Sequence, residues 1–416
     1  MSIFEKNDKD VYHYIEKHIS ISIDEKNKFG EVFTSSELIQ EMIDAFPNEL
    51  WKNPHLKIFD PCAGYGNFSA LLYVKLMDSL KDVIKSRNKR KRHIVQNMLY
   101  MVELNPKNVH ALRLLFGQKA NISLANFLEQ SEKWKRDLGV VSFDIILGNP
   151  PFQTPKSTTY KGSVGNRTLW DKFLEFIFEN QLLKENKYLG FITPCNWRRP
   201  EHSLYPRMTQ SNSLLYLHIF DKKEGLEKLG AQTRFDLYII QQGKHDKKTH
   251  IVDLKGKTHN MDVSKWPFLP NYYYNNIRKL LVPKKKGLPI LFHAGTYDAR
   301  KLSKKKTKKN RYPIVHNITR RGLGLKYAKQ KKDHFGTPKV LLNFNEKQYP
   351  YNDYQGKYGM SQLTFGIPIK SKKQGERIIQ VLNSYEFKEI LNATKWSSFQ
   401  TDYRMFSYFD KNYFKK

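Results

Sequence analysis

Lys57-Ile58-Phe59-Asp60-Pro61-Cys62-Ala63-Gly64-Tyr65-Gly66-Asn67 reads as a short buried strand, a glycine-rich turn and the start of a helix that runs from Phe68 to Leu80. Two glycines two apart let the backbone turn tightly and approach a ligand, and the helix start behind them offers free N–H groups to an anionic moiety such as a carboxylate. The stretch lacks the third glycine of a dinucleotide fingerprint and the Gly-Lys-Ser/Thr of a P-loop, which disfavours both nucleotide readings.

Outward from it the pattern repeats. Ser35 and Ser36 cap a helix over residues 35–46 that places Leu38, Ile39, Met42, Ile43 and Phe46 at helical spacing. Strands are predicted at Met98–Glu103, Phe143–Leu147, Tyr188–Thr193, Leu214–Phe220 and Leu237–Gln241, with helices between them such as Pro106–Phe116 and Leu169–Leu183. This alternation predicts an α/β fold, a mostly parallel sheet covered by helices, with ligands at the carboxyl ends of the strands. A strand pair at His250–Leu254 and Asn260–Val263 closes the region, and beyond it short apolar runs punctuated by Gly, Pro and Asn predict a separate α+β domain. The boundary falls near residue 265, giving domains 1–265 and 266–416.

The charge is divided along the same line. The 416 residues carry a net +32, but residues 1–240 hold 34 basic and 28 acidic side chains, against 38 and 12 in residues 241–416. Lysine runs (Lys304-Lys305-Lys306, Lys308-Lys309) alternate there with Tyr272, Tyr273, Tyr274, Tyr349, Tyr351, Tyr354, Tyr358 and Phe406. Lysines bind phosphate by counterion release and aromatic rings stack on bases, so the predicted partner is a nucleic acid. A second run, Lys85 to His93, fits a solvated loop equally well and receives no role. Two cysteines 133 positions apart, Cys62 and Cys195, exclude a disulfide framework and a zinc site, so no metal is expected. With no signal peptide and no stretch of 18 apolar residues, the expectation is an intracellular, cytoplasmic protein acting on DNA, without a membrane partner.

Two further segments carry chemistry. Glu103 closes the second strand of the unit, where a carboxylate accepts hydrogen bonds from both ribose hydroxyls of an adenosine-containing cofactor. In Asp144-Ile145-Ile146-Leu147-Gly148-Asn149-Pro150-Pro151-Phe152, two prolines after a buried strand lock the backbone and remove two donors. The Asn149 side chain and the Pro150 carbonyl are left as acceptors. Two acceptors on an exocyclic amine draw its lone pair out of conjugation, and Phe152 is placed to stack on the ring that carries it. Asp144 precedes the strand and reads as structural.

Phe29-Gly-Glu-Val-Phe-Thr-Ser35, Asp60 to Asn67, Val102-Glu-Leu-Asn-Pro106 and Asn149-Pro-Pro-Phe152, in this order, resemble the gamma class of S-adenosylmethionine-dependent DNA adenine-N6 methyltransferases over roughly residues 25–245. The resemblance implies a Rossmann-like methyltransferase domain followed by a basic C-terminal target-recognition domain. It implies that Thr34 and the loop Asp60, Pro61, Ala63, Gly64 and Gly66 hold the methionine part of S-adenosylmethionine and that Glu103 holds the ribose. Asn126-Phe127 fall where the family has Asp-Phe on the cofactor's adenine, so an amide here replaces the usual carboxylate. Asn149, Pro150, Pro151 and Phe152 would take the flipped adenine, with Phe235 of Thr233-Arg-Phe-Asp-Leu237 as a second aromatic beside it. Asn196 and Trp197, after the strand ending at Thr193, together with the neighbouring arginines, would face double-stranded DNA.

Methyl transfer would then proceed by base flipping and direct in-line attack, without a covalent enzyme intermediate. Pro194-Cys195 resembles the nucleophile of cytosine-C5 enzymes but lacks their partners. Release-factor glutamine methyltransferases share Asn-Pro-Pro-aromatic but need no basic extension; RNA adenine methylation and a non-catalytic DNA-binding specificity subunit are the remaining alternatives. No Asp…Glu-x-Lys nuclease core is visible, so a monomeric methyltransferase is expected, with any restriction endonuclease a separate partner.

Overall fold

The computed structural model describes residues 34–129, 133–153, 168–243, 246–293, 296–345, 348–396 and 401–415. Residues 29–33 of the first motif lie outside these. The described residues form two compact units, one over residues 34–195 and 206–265, the other over 196–205 and 266–415.

The first unit is built on one nine-stranded sheet. Its strands are β1 (Ile58–Asp60), β2 (Leu99–Glu103), β3 (Asn121–Leu124), β4 (Phe143–Gly148), β5 (Leu183–Pro194), β6 (Ser213–Phe220), β7 (Phe235–Gln241), β8 (Thr249–Val252) and β9 (Thr258–Met261), in spatial order 3-2-1-4-5-7-6-8-9. Strands β3, β2, β1, β4 and β5 are parallel, and β7 enters antiparallel between β5 and β6. Every residue of β1, β2 and β4 is buried, which is why these strands read as continuous apolar runs without alternation. The sequence missed β3 because Asn121-Ile-Ser-Leu124 alternates too briefly to stand out.

Helices cover the sheet. Ser35 accepts from the Leu38 N–H at the start of α1 (Ser36–Ala45), whose Leu38, Ile39, Met42 and Ile43 are buried. Each such side chain contributes about 1.5–3 kcal/mol. Next come α2 (Asn67–Ser79), α3 (Arg87–His93), α4 (Pro106–Phe116), α5 (Lys133–Leu138), α6 (Trp170–Glu179) and α7 (Lys222–Leu229). The basic run at 85–93 is therefore a capped helix and not a loop: Ser86 caps it, and buried Arg90 donates to the Ile84 carbonyl at 2.6 Å.

The second unit contains α8 (Tyr274–Arg278), two three-stranded sheets and a helix pair, α9 (Lys372–Asn383) and α10 (Tyr385–Ala393). One sheet joins β10 (Tyr312–Thr319), β11 (Gly322–Ala328) and β14 (Gly359–Met360); the other joins β12 (Lys339–Asn343), β13 (Tyr351–Asp353) and β15 (Thr364–Pro368). Its aromatics divide between two duties. Tyr274 and Phe406 are buried in the core, contrary to a uniform base-stacking surface, whereas Tyr351 and Tyr354 are exposed. Lys304, Lys305, Lys306, Lys308 and Lys309 are exposed before β10, and Arg320 and Arg321 are exposed at the β10–β11 turn. No helix among the described residues is long and apolar enough to cross a membrane.

Candidate functional site

The carboxyl ends of β1, β2 and β4 lie side by side, and the loops leaving them interlock. After β1, Asp60 Oδ1 accepts from the Cys62 N–H at 3.1 Å, and the Ala63 N–H donates to the Val102 carbonyl of β2 at 3.0 Å. Gly66 has φ +88°, and a Cβ on it would stand 2.6 Å from Leu112 Cδ2, so glycine alone permits α2 to pack on α4 here. Glu103 ties the loops together, one oxygen accepting from the Gly64 N–H and the other from the Asn105 N–H, each at 2.7 Å. A carboxylate anchored by two backbone donors in this way is held in one orientation.

After β4, Asn149 Nδ2 donates to Thr34 Oγ1 at 3.0 Å, so the structure brings a residue predicted on the cofactor side against one predicted on the target side. Asn149 Oδ1 is buried and accepts no hydrogen bond among the described residues, and the same holds for Asp60 Oδ2. Two buried acceptors thus lie in one loop cluster without donors among the described residues, where a ligand carrying donors would find partners. Sequence reasoning missed Gly148: a Cβ there would lie 2.9 Å from Asp60 Oδ1, so its hydrogen lets the β1 carboxylate sit against the β4 exit.

The electrostatics follow from that enclosure. Burial, opposed by the Cys62 N–H and reinforced by the charge of Glu103, pushes the Asp60 carboxyl up to about 7. Burial and the Asp60 and Glu103 carboxyls push the Cys62 thiol well up, which leaves it a poor nucleophile. Asp144, at the opposite end of β4, accepts from the Lys57 N–H at 2.9 Å and pairs with Lys184 at 3.1 Å. Although its burial works the other way, these partners hold its carboxyl below the ordinary range, as befits a structural anion.

Several predicted residues stand elsewhere. Phe127 is 2% exposed and packs against Phe59, Trp134, Phe173 and Phe176, which makes it a core residue and not an open face for a cofactor ring. The Asn126 carbonyl already accepts from the Leu128 N–H at 3.1 Å. Phe235 is fully buried and stacked flat on Phe220 at 4.5 Å, so it belongs to the core and not beside a flipped base. Phe152 is 9% exposed and shares that apolar cluster. Pro150 is buried and Pro151 half-buried, and Pro61 and Ala63 are buried in the β1 loop.

Trp197 does not face DNA: it is fully buried in the second unit, stacked with Tyr205. Its neighbour Arg198 is also buried and donates to the Leu269 and Pro270 carbonyls at 3.0 and 3.1 Å and to Asn271 Oδ1 at 2.8 Å. Asn196 is half-buried in the same unit.

Residues 70–225 match the model of the Eco57I restriction-modification methylase family. An uncharacterized adenine-specific methylase of Mycoplasma pneumoniae is 25% identical over 322 residues, a match covering 56% of this chain and 73% of that protein. Two solved structures share the fold: DrdV bound to DNA, with a TM-score of 0.55 at 11% identity over 95% of this chain and 57% of that one, and the type IIL restriction-modification enzyme MmeI with DNA, with 0.53 at 14% over 97% and 70%. The chain thus spans only part of the length of each of these proteins.

Proposed function

We propose, from the premise that residues 70–225 form an Eco57I restriction-modification methylase domain, that the protein transfers the methyl group of S-adenosylmethionine to N6 of adenine in a specific duplex DNA sequence. The observation that carries this reading is the Asn149 amide, whose Nδ2 is occupied by Thr34 while its buried Oδ1 has no donor. An exocyclic amine is such a donor.

The loop cluster suits the cofactor. Gly64 has no atom near the position a Cβ would take, α2 begins without a side-chain cap, and Asp60 Oδ2 awaits a donor. Asp60, Pro61, Ala63, Gly64 and Gly66 would hold the methionine portion, Glu103 the ribose, and Asn126 the adenine edge through the carbonyl's second lone pair. When bound, S-adenosylmethionine supplies an electrophilic methyl group.

The chain's own residues do the rest by positioning. Unstacking the target base costs a few kcal/mol, offset by hydrogen bonds and stacking in the pocket. Thr34 fixes the Asn149 amide so that Oδ1 and the Pro150 carbonyl accept the two amine hydrogens, which localises the nitrogen lone pair for in-line attack. Neither thiol is poised to intervene, since Cys62 is held as the thiol and Cys195 is buried. The exposed lysines and arginines of the second unit supply phosphate contacts.

Incubation with methyl-tritiated S-adenosylmethionine and duplex DNA, followed by nucleoside analysis, tests the proposal. Label in N6-methyladenine is expected; label confined to protein or to RNA would overturn it.

A further inference from the structure

The second unit contains a cavity of 320 Å³, wholly its own, that the methyl-transfer reaction does not use. Its size is at the lower end for small-ligand sites, suited to one planar ring system. Three half-buried aromatic rings line it: Tyr403 lies 4.4 Å from Phe292 and 5.5 Å from Phe344, and those two are 5.1 Å apart with their planes nearly perpendicular. Of these half-buried rings, Phe344 and Tyr403 pack on Phe365, which is fully buried.

The polar part of the lining is of a particular kind. Asn196 and Gln362 bring two side-chain amides, groups that carry a donor and an acceptor together. The Asn196 amide has no hydrogen bond among the described residues, and Gln362 uses only Oε1, accepting from the Ala299 N–H at 3.3 Å. Asp402, the one carboxylate in the wall among the described residues, is neutralised by Arg404, which donates to it from Nε at 2.8 Å and from Nη2. Arg199 adds a cation to the lining. Aromatic rings, two amides with donors to spare, a neutralised carboxylate and a cation, within the basic part of the chain, describe recognition of a nucleobase, whose edge presents paired donors and acceptors.

We infer that this cavity is a second nucleobase pocket, which receives a base unpaired from the bound duplex at a position other than the methylated adenine. Phe292 and Tyr403 supply the stacking surfaces, and Asn196 and Gln362 read the edge of the base. Asn196, predicted from sequence to touch DNA, thereby contacts it through a cavity of the second unit. The inference rests on the DNA-methyltransferase reading, and its test separates the two.

The sequence that the wild-type protein methylates is first mapped, and 2-aminopurine is then placed at successive positions across that duplex and its flanks. Fluorescence should rise several-fold at the target and at one further position. Asn196→Ala and Phe292→Ala should abolish the second rise while leaving the target signal and methylation in place; because the Asn196 amide has no described partner in the fold, its variant removes recognition without removing a support. A rise at the target alone, in a complex that methylates, overturns the second pocket and leaves the functional reading intact. A second rise that persists in both variants also overturns it, by placing the unpaired base elsewhere. Brightening with free 2-aminopurine riboside but at no second duplex position would assign the cavity to a free nucleoside, against the proposal. Failure to methylate any duplex would overturn the functional reading, and this inference with it.

Discussion

β4 and β5 run side by side in the same direction, with Gly148 opposite Phe191, and each is followed closely by an asparagine next to prolines or near one: Gly148-Asn149-Pro150-Pro151 after β4, Pro194-Cys195-Asn196-Trp197-Arg198 after β5. Their fates diverge. The first exit presents a buried carbonyl oxygen with no donor among the described residues, whereas the second runs into the other compact unit, where Trp197 is buried and the Arg198 guanidinium is held by the Leu269 and Pro270 carbonyls and Asn271 Oδ1. Backbone chemistry explains the difference. Two prolines remove the N–H groups that would have satisfied Asn149, while Arg198 brings donors that the Leu269 and Pro270 carbonyls consume. Asn149 therefore sits in the loop cluster of the first unit with Oδ1 unpaired, whereas Asn196 follows the chain into the second unit, where its amide has no hydrogen bond among the described residues.

The contrast breaks first at Trp197. Trp197→Ala should cost about 3–5 kcal/mol of stability through the cavity it leaves, measured by denaturant unfolding. A loss under about 1 kcal/mol, of the kind surface positions give, would return Trp197 to the surface and void the distinction between the two exits. The same burial makes removal of residues 266–416 a poor test of DNA binding, because truncation would strip the partners from Arg198 and expose the apolar surface of Trp197.

Asn149→Ala comes next, with methyl transfer expected to fall by about 10²–10³-fold, as for removal of one preorganised hydrogen-bonding group at a reacting centre. Affinity for DNA and cofactor should persist, and Asn196→Ala should leave single-turnover transfer at saturating DNA unchanged. Equal losses in the two variants would mean that both exits serve the reacting amine.

How far the sequence foretold this contrast depends on the kind of signal. The placement of Asn149-Pro150-Pro151 and of the Asp60–Gly66 loop at strand ends was legible because proline, glycine and the end of a buried run mark a turn in the sequence itself. Ser35 capping and the buried runs of β1, β2 and β4 were legible for the same reason. Phe127, Phe235 and Trp197 were misplaced because an aromatic side chain carries no local sign of whether its face meets a ligand or another ring; that is decided by partners such as Phe173, Phe220 and Tyr205, distant in the chain or unremarkable in it. The cavity of the second unit was invisible for a like reason, since its walls come from segments as far apart as residues 196 and 404.

Asp60 sharpens the account of the first exit through pH. Its carboxyl, held at about 7 in the folded protein against an ordinary 3.8, contributes stability that is fully present below 3.8 and lost as pH rises through 7. Between pH 5 and pH 7 the cofactor-free protein should therefore lose about 2.5 kcal/mol from this group, seen as a falling Tm. Asp60→Asn should flatten that fall, and an unchanged slope would show that Asp60 is not enclosed by Gly148 and Cys62 as described.

The smallest effect per residue separates the two basic runs. Lys304, Lys305, Lys308 and Lys309 are exposed, while the run at 85–93 is a capped helix with Arg90 and Lys91 buried. Each phosphate-binding lysine removed should lower the slope of log affinity against log salt by about 0.9. Changing the four exposed lysines to Gln should thus reduce the slope by up to about 3–4, with methyl transfer at saturating DNA unchanged. Changing Lys85, Arg87, Lys89 and Arg92 to Gln should leave the slope as it was. If the second set moved it as much as the first, phosphate binding would belong to both units, and the assignment of DNA affinity to the second would fail.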